Sequence, residues 1–226
     1  MAASADGFDL DVMERPQPTV EGRREPLRVG VIISGSGTNL QAIIDEIDAG
    51  NIPARIAVVL SNKGDAYGLE RARNHGIPAF HVDPKAQESF GHYNTALRDK
   101  LLEHDVELVV LAGYMRLLGV EVLRAFPGRV VNIHPALLPS FAGAHGVPDA
   151  LAYGVKVTGV TVHFADEEFD TGPIILQECV PIHEGDTEET LFPRIHEVEY
   201  RIYPRAIKLY AEGRLVVEGR KVRIIE

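Results

Sequence analysis

In LRVGVIISGSGTNLQAIIDEI, residues 27–47, a nearly unbroken apolar run gives way to a glycine-rich loop and then to apolar residues at helical spacing. Leu27–Ser34, rich in Val and Ile, reads as a strand buried on both faces, as in a parallel sheet. Leu40, Ile43, Ile44 and Ile47 fall on one helix face, and Gly50 supplies a stop. A buried strand feeding an amphipathic helix is the repeating unit of an α/β fold.

The same rhythm continues outward from this stretch. RIAVVLS (55–61) is a second strand and GLERARNHG (68–76) a short helix. Residues 78–82 form a third strand and 87–104 a longer helix. VELVVLAG (106–113) is a fourth strand, followed by a helix near 119–126. RVVNIHP (129–135) is the fifth strand, and PDALAYG (148–154) a short helix opened by Pro-Asp and closed by Gly. Then the pattern changes. KVTGVTVHFAD (156–166) alternates, and IILQECVPI (174–182) pairs with it, which predicts half-exposed antiparallel strands. A long helix spans 187–212, and RLVVEGRKVRII (214–225) reads as a hairpin turning at Glu218-Gly219. The expectation is a Rossmann-like, doubly wound, mostly parallel sheet with an antiparallel C-terminal part. Residues 26–226 are assigned to one domain. Residues 1–25, rich in acids, Pro, Ala and Ser, are assigned to a disordered extension. Ligands of such sheets bind along the carboxyl ends of the strands.

The bulk properties narrow the function. The chain has 226 residues, a formal net charge of −10 and a pI near 5.4. That balance argues against a nucleic-acid partner, because binding to phosphate backbones requires a basic footprint. A local site for one small anion remains open. The single cysteine, Cys179, forms no intramolecular disulfide, fits a reducing compartment and reads as a small core or edge residue. The nine histidines show no metal-ligand spacing, so no metal is expected. No signal-like or membrane-spanning run occurs, and the expected location is cytoplasmic.

Two places carry chemistry. Ser34-Gly35-Ser36-Gly37-Thr38-Asn39 lies between a strand and a helix start, where free amides and close backbone approach favour an anion. It lacks the Lys of a Walker A loop, and Leu40 takes the position of the third Gly in GxGxxG. A tight turn capped by Thr38 or Asn39 is the plainer alternative. At the fifth strand, Asn132 and His134 are two apart and share a face. His163 lies in the next strand, and Asp170 in the turn FDTGPI. Asp170 reads either as a turn aspartate or, beside His134, as the stabiliser of an imidazolium. An Asn amide and a His can both donate to an oxygen turning anionic in acyl transfer. With no GxSxG, direct transfer to a bound nucleophile is favoured over an acyl-enzyme.

ISGSGTNLQAII, SNKGDAYGLERAR, VVLAGYMRLL, VVNIHPALLPSFAGAHG, GVTVHFADEEFDTGPIILQ and EVEYRIYP, in this order, resemble the phosphoribosylglycinamide formyltransferases, a branch of the folate-dependent formyltransferase family. The resemblance runs from about 27 to 217. It implies transfer of a formyl group from 10-formyltetrahydrofolate, a co-substrate, to the amine of glycinamide ribonucleotide in purine synthesis. By the same resemblance, Gly37, Thr38 and Asn39 hold the ribonucleotide phosphate, and Glu199 with 196–198 contacts the rest of it. Met115, Arg116, Leu117 and Leu118 line the folate pocket with Asn132, and the loop Asp166, Glu167, Glu168, Phe169, Asp170 closes on the pterin. Asn132, His134 and Asp170 form the catalytic set, with His163 supporting Asn132.

Read without the resemblance, Met115 and Leu117 pass as core and Arg116 and Glu199 as surface charges. One departure stands out. Some members carry a folate-contacting Arg shortly before the Tyr matching Tyr93; AQESFGHY has none, and Lys85 is the candidate substitute. The partners implied are small molecules, with no nucleic acid and no membrane, and a homodimer is compatible. A methionyl-tRNA formyltransferase is expected to add an RNA-binding C-terminal domain and a basic surface. A formyltetrahydrofolate hydrolase is expected to add an N-terminal regulatory domain. A non-enzymatic nucleotide-binding module needs the glycine loop but not Asn132, His134 and Asp170 together.

Overall fold

A computed structural model describes residues 25–226, so the extension expected over 1–25 lies outside the described residues apart from Glu25. The chain forms β1 (Leu27–Ile33), α1 (Thr38–Asp48), β2 (Ala54–Ser61), α2 (Tyr67–Asn74), β3 (Ala79–His81), α3 (Phe90–Glu103), β4 (Leu108–Leu111), α4 (Val120–Ala125), β5 (Val130–His134) and α5 (Gly146–Tyr153). It continues with β6 (Val157–Phe164), β7 (Ile174–Pro181), α6 (Glu188–Ala211), β8 (Leu215–Glu218) and β9 (Lys221–Ile224). One seven-stranded sheet has the order β3-β2-β1-β4-β5-β6-β7, and β8-β9 form a separate hairpin. The first five strands are parallel; β6 and β7 are antiparallel. The doubly wound sheet with an antiparallel end is therefore as the sequence implies. The hairpin's two-residue loop is Gly219-Arg220, one residue later than expected.

The strands are apolar because both faces are covered. One face buries Val29, Val31, Ile33, Val131, Val160, Val162 and Phe164 against α1, α2 and α6. The other buries Ile32, Val58, Leu60, Val109, Leu111 and Val130 against α3 and α4. β1 and β4 are neighbours although three helices separate them in sequence, so the winding reverses between them. Such a reversal opens a crevice at the carboxyl ends of the strands.

β6 departs from the half-exposed strand that its alternation suggests. It is buried from Thr158 to Phe164. Its even-numbered side chains pack into the α6 face, while Leu137, from the segment after β5, covers Gly159 on the other side so closely that a Cβ there would lie 2.5 Å from Leu137 Cδ2. Half-exposure belongs instead to β7, the edge strand, where Cys179 is exposed.

Candidate active site

Three strand ends are laced together at the switch point. Ser34, just after β1, donates its hydroxyl to Asn62 Oδ1 at 2.6 Å and accepts the Met115 N–H at 3.0 Å. The loops after β1, β2 and β4 thus share one buried hydroxyl. The glycine loop leads into α1 with Gly37 as N-cap at φ 71, a left-handed conformation that suits glycine. Thr38 and Asn39 lie inside the first turn rather than capping it, and no side chain caps this end. The first-turn amides of a helix have no partner within it, so this end is open to an anion.

Asn39 faces α6. Its Nδ2 donates to Glu199 Oε2 at 3.0 Å, across 160 residues of sequence. Both side chains are buried, and Asn39 Oδ1 has no hydrogen-bond partner among the described residues. Burial raises the Glu199 carboxyl to about 7 despite the opposing bond from Asn39. One turn on, Tyr203 donates its buried hydroxyl to the Leu111 and Val131 carbonyls, bridging β4 and β5 beneath the site.

The polar cluster lies on the α3/α4 face of β5 and β6. Alternation puts Asn132 and His134 on the same side as Val130. Antiparallel register then sets His163 directly across from Asn132. Asn132 Nδ2 lies 3.2 Å from His163 Nε2 and 3.4 Å from Asp170 Oδ1. His134 Nδ1 is 3.4 Å from Asp170 Oδ2, and its Nε2 is 2.8 Å from the Phe141 carbonyl. Asp170 also accepts the Gly143 N–H at 2.8 Å. The four side chains expected to act together are therefore one connected group. His134, His163 and Asp170 are nearly closed to solvent at 6%, 1% and 5% side-chain exposure.

Asp170 reaches this group by an indirect route. β6 ends beside the start of β5, with Ala165 N–H on the Val130 carbonyl. The following loop folds back over the sheet, and Asp170 takes a positive φ of 56°. Burial pushes its carboxyl up, but bonds from His163 and Gly143 and the nearby His134 outweigh this, so it is held below its ordinary value.

Of the expected folate-side residues, Met115 and Arg116 are exposed and Leu117 is half-buried, whereas Leu118 is a core side chain beside Tyr93 and Tyr114. The Arg116 guanidinium lies 5.6 Å from the centre of the Tyr93 ring. Asp166, Glu167, Glu168 and Phe169 lie on the exposed side of the return loop. Sequence reasoning passed over the main-chain partners, the Phe141 carbonyl and the Gly143 amide. Their signal was present: a Ser-Phe-Ala-Gly-Ala-His-Gly run following two prolines, whose Phe141 and Gly143 both adopt positive φ. Thr161 pins this segment, donating to the Ala136 carbonyl at 2.6 Å and accepting the Leu138 N–H at 3.1 Å. Among the described residues no group of three or more His, Cys, Asp or Glu could hold a metal ion, and no helix is long and apolar enough to cross a membrane.

An anion-ready helix start at the switch point of a doubly wound sheet and a connected Asn–His–Asp group on the neighbouring β5 and β6 fit an acyl transferase, and the chain belongs to the formyl transferase family, whose model matches residues 27–207. It is 44% identical over 181 residues to the phosphoribosylglycinamide formyltransferase of Bacillus subtilis (strain 168), covering 80% of this chain and 93% of that one. The crystal structure of glycinamide ribonucleotide transformylase 1 from Symbiobacterium toebii superposes with a TM-score of 0.89 at 56% identity, covering 90% of this chain and 96% of that one. The trifunctional purine biosynthetic protein adenosine-3 of Homo sapiens is 43% identical over 190 residues; the match covers 84% of this chain but 19% of that much longer protein.

Proposed function

We propose that this protein transfers the formyl group of 10-formyltetrahydrofolate to the amine of N1-(5-phospho-D-ribosyl)glycinamide, a step of purine synthesis. The observation that carries this reading is the convergence of Asn132 and His134 on Asp170, each 3.4 Å from one of its carboxylate oxygens. The amides at Gly37, Thr38 and Asn39 take the phosphate. Asn39 Oδ1, buried and without a hydrogen-bond partner among the described residues, is an acceptor suited to a hydroxyl or amine hydrogen of the ribonucleotide. Glu199 stands beside it to receive another. Met115, Arg116, Leu117, Leu118 and the 166–170 loop bound the folate side.

The substrate amine attacks the formyl carbon, and the carbonyl electrons move to oxygen. His134 Nε2–H, bonded here to the Phe141 carbonyl, exchanges that acceptor for the new oxyanion. Asp170, held below its ordinary value and so ionised at neutral pH, faces His134 Nδ1 and favours positive charge building on the ring as the oxyanion forms. Asn132 contributes its amide once it swings away from His163, since its nitrogen faces His163 and Asp170 in this structure. The amine loses its proton, the bond from the formyl carbon to the folate nitrogen breaks, and that nitrogen takes up a proton. Holding both substrates in line supplies much of the acceleration. No step requires a metal. The unit so described is residues 26–226, acting in the cytoplasm on small molecules, as a monomer or a homodimer.

The test is a formyl-transfer assay with the purified chain, both substrates and, in parallel, formyl-folate alone. Formylated ribonucleotide formed only when the acceptor is present supports the reading. Formate released at the same rate without the acceptor identifies a hydrolase and overturns it.

A further inference from the structure

The glycine loop is shaped from outside by α2. Gly68 N–H donates to the Gly35 carbonyl at 3.1 Å, and Arg71 Nε donates to the Ser36 carbonyl at 2.9 Å. In a trans peptide the carbonyl and the next N–H point in opposite directions. Drawing these two carbonyls toward α2 therefore turns the Ser36 and Gly37 N–H groups the other way, on one common side. Successive amides so oriented make an anion-binding concavity. Close approach is essential to it: Gly37 and Gly68 touch, and a Cβ on Gly37 would lie 2.6 Å from the Gly68 Cα.

Arg71 also ties the loop to the helix that follows. Its Nη1 donates to Gln41 Oε1 at 3.2 Å, and Gln41 N–H makes the first bond of α1 to the Gly37 carbonyl at 2.9 Å. The guanidinium rests 4.9 Å from the centre of the Tyr67 ring, which fixes the side chain from its other face. One cation therefore grips the loop, the first turn of α1 and α2 from the side opposite the amides.

We infer that Arg71 is the positioning residue of the phosphate site: it sets the loop's peptide planes so that the amides of Ser36 and Gly37 join those of the first turn of α1 on a phosphomonoester. This deepens the reading of the Gly37–Asn39 loop given above and rests on it. The charge-assisted bond to a main-chain carbonyl demands a rigid, forked donor, which Lys supplies only in part.

The experiment compares the full chain with Arg71→Ala, Arg71→Lys and, as an exposed neighbour on the same helix, Arg73→Ala. Inorganic phosphate is the probe, measured as an inhibitor competing with the ribonucleotide. Arg71→Ala is expected to raise both the ribonucleotide KM and the phosphate inhibition constant about tenfold. Its kcat and formyl-folate KM are expected to stay within about twofold. Arg71→Lys recovers part of the loss, and Arg73→Ala matches the parent. A phosphate inhibition constant unchanged in Arg71→Ala overturns the inference. So does a uniform decline of kcat and both KM values alongside the melting temperature, because that is the signature of a merely structural side chain. Failure of phosphate to compete in the parent protein would instead overturn the phosphate assignment of the loop itself.

Discussion

Asp170 and His134 meet through Oδ2 and Nδ1 at 3.4 Å, and the Phe141 carbonyl stands 2.8 Å from the other ring nitrogen. Both nitrogens of His134 thus face acceptors. A neutral imidazole donates to only one, leaving a lone pair against either a carboxylate or a carbonyl. The doubly protonated ring satisfies both. Asp170 is itself anchored by Gly143 N–H and by His163, so its charge is fixed in place rather than borne by a mobile side chain.

Asp170→Asn removes the charge while keeping the shape and an oxygen for Gly143. It is expected to lower kcat by about a hundredfold or more, the scale of one general acid–base contribution. His134→Ala is expected to lose at least as much. In both, the ribonucleotide KM is expected to stay within about threefold, because the proposed phosphate site, the Gly37–Asn39 loop, lies elsewhere. Steady-state kinetics with purified variants checks this. Near-parental turnover by either variant removes the pair from the catalytic set.

The sheet was legible because β1, β2, β4 and β5 are buried on both faces and so appear as apolar runs that only a doubly covered strand tolerates. Asn132 and His134 were legible for the same reason: two polar residues interrupt such a run at a spacing that puts them on one face. The position of Asp170 was not. Its loop leaves β6 at the wrong end of the sheet and returns over Asn132, and nothing in Asp-Thr-Gly-Pro encodes that reversal. The burial of β6 was missed because its second cover is an irregular segment, Leu137 over Gly159, which carries no periodicity. Arg71 was passed over because a cation on a short helix ordinarily reads as a solvated charge; its partner is a main-chain carbonyl, to which the residue type of Ser36 gives no clue.

Gly172 closes the return loop against β6. A Cβ at this position would lie 1.8 Å from the Phe164 carbonyl oxygen, and Phe164 N–H in turn bonds the Pro173 carbonyl at 2.9 Å. Gly172→Ala must push the loop off the strand and carry Asp170 with it. The expected cost in stability is about 1–3 kcal/mol, that of overpacking a tight site. The expected kcat is at least tenfold lower if Asp170 has the catalytic role proposed for it, because an ångström of misplacement at such a group is expensive. Thermal unfolding and kinetics on the same sample read both. An unchanged kcat would mean that the loop's close seat on β6 is not what places Asp170.

Glu199 makes a prediction of opposite sign from the usual surface acid. Burial lifts its carboxyl from 4.5 to about 7 in the folded chain, with Asn39 opposing. Below about pH 4.5 the group is neutral in both folded and unfolded chains, and its contribution is fully present. As pH rises from there to about 7, the unfolded chain releases the proton and the folded chain keeps it. The folded state then binds more protons, so stability falls through that window and levels off above it. Glu199→Gln has no such proton to lose. Melting temperatures taken from pH 5 to pH 8 should therefore show the parent losing ground to Glu199→Gln as pH rises, with the difference flattening above about pH 7. Parallel curves for the two proteins would show that Glu199 titrates as an ordinary exposed acid. Bound ribonucleotide should reduce the parent's loss, because a hydroxyl or amine donor placed on Glu199 stabilises the charged carboxylate that burial alone disfavours.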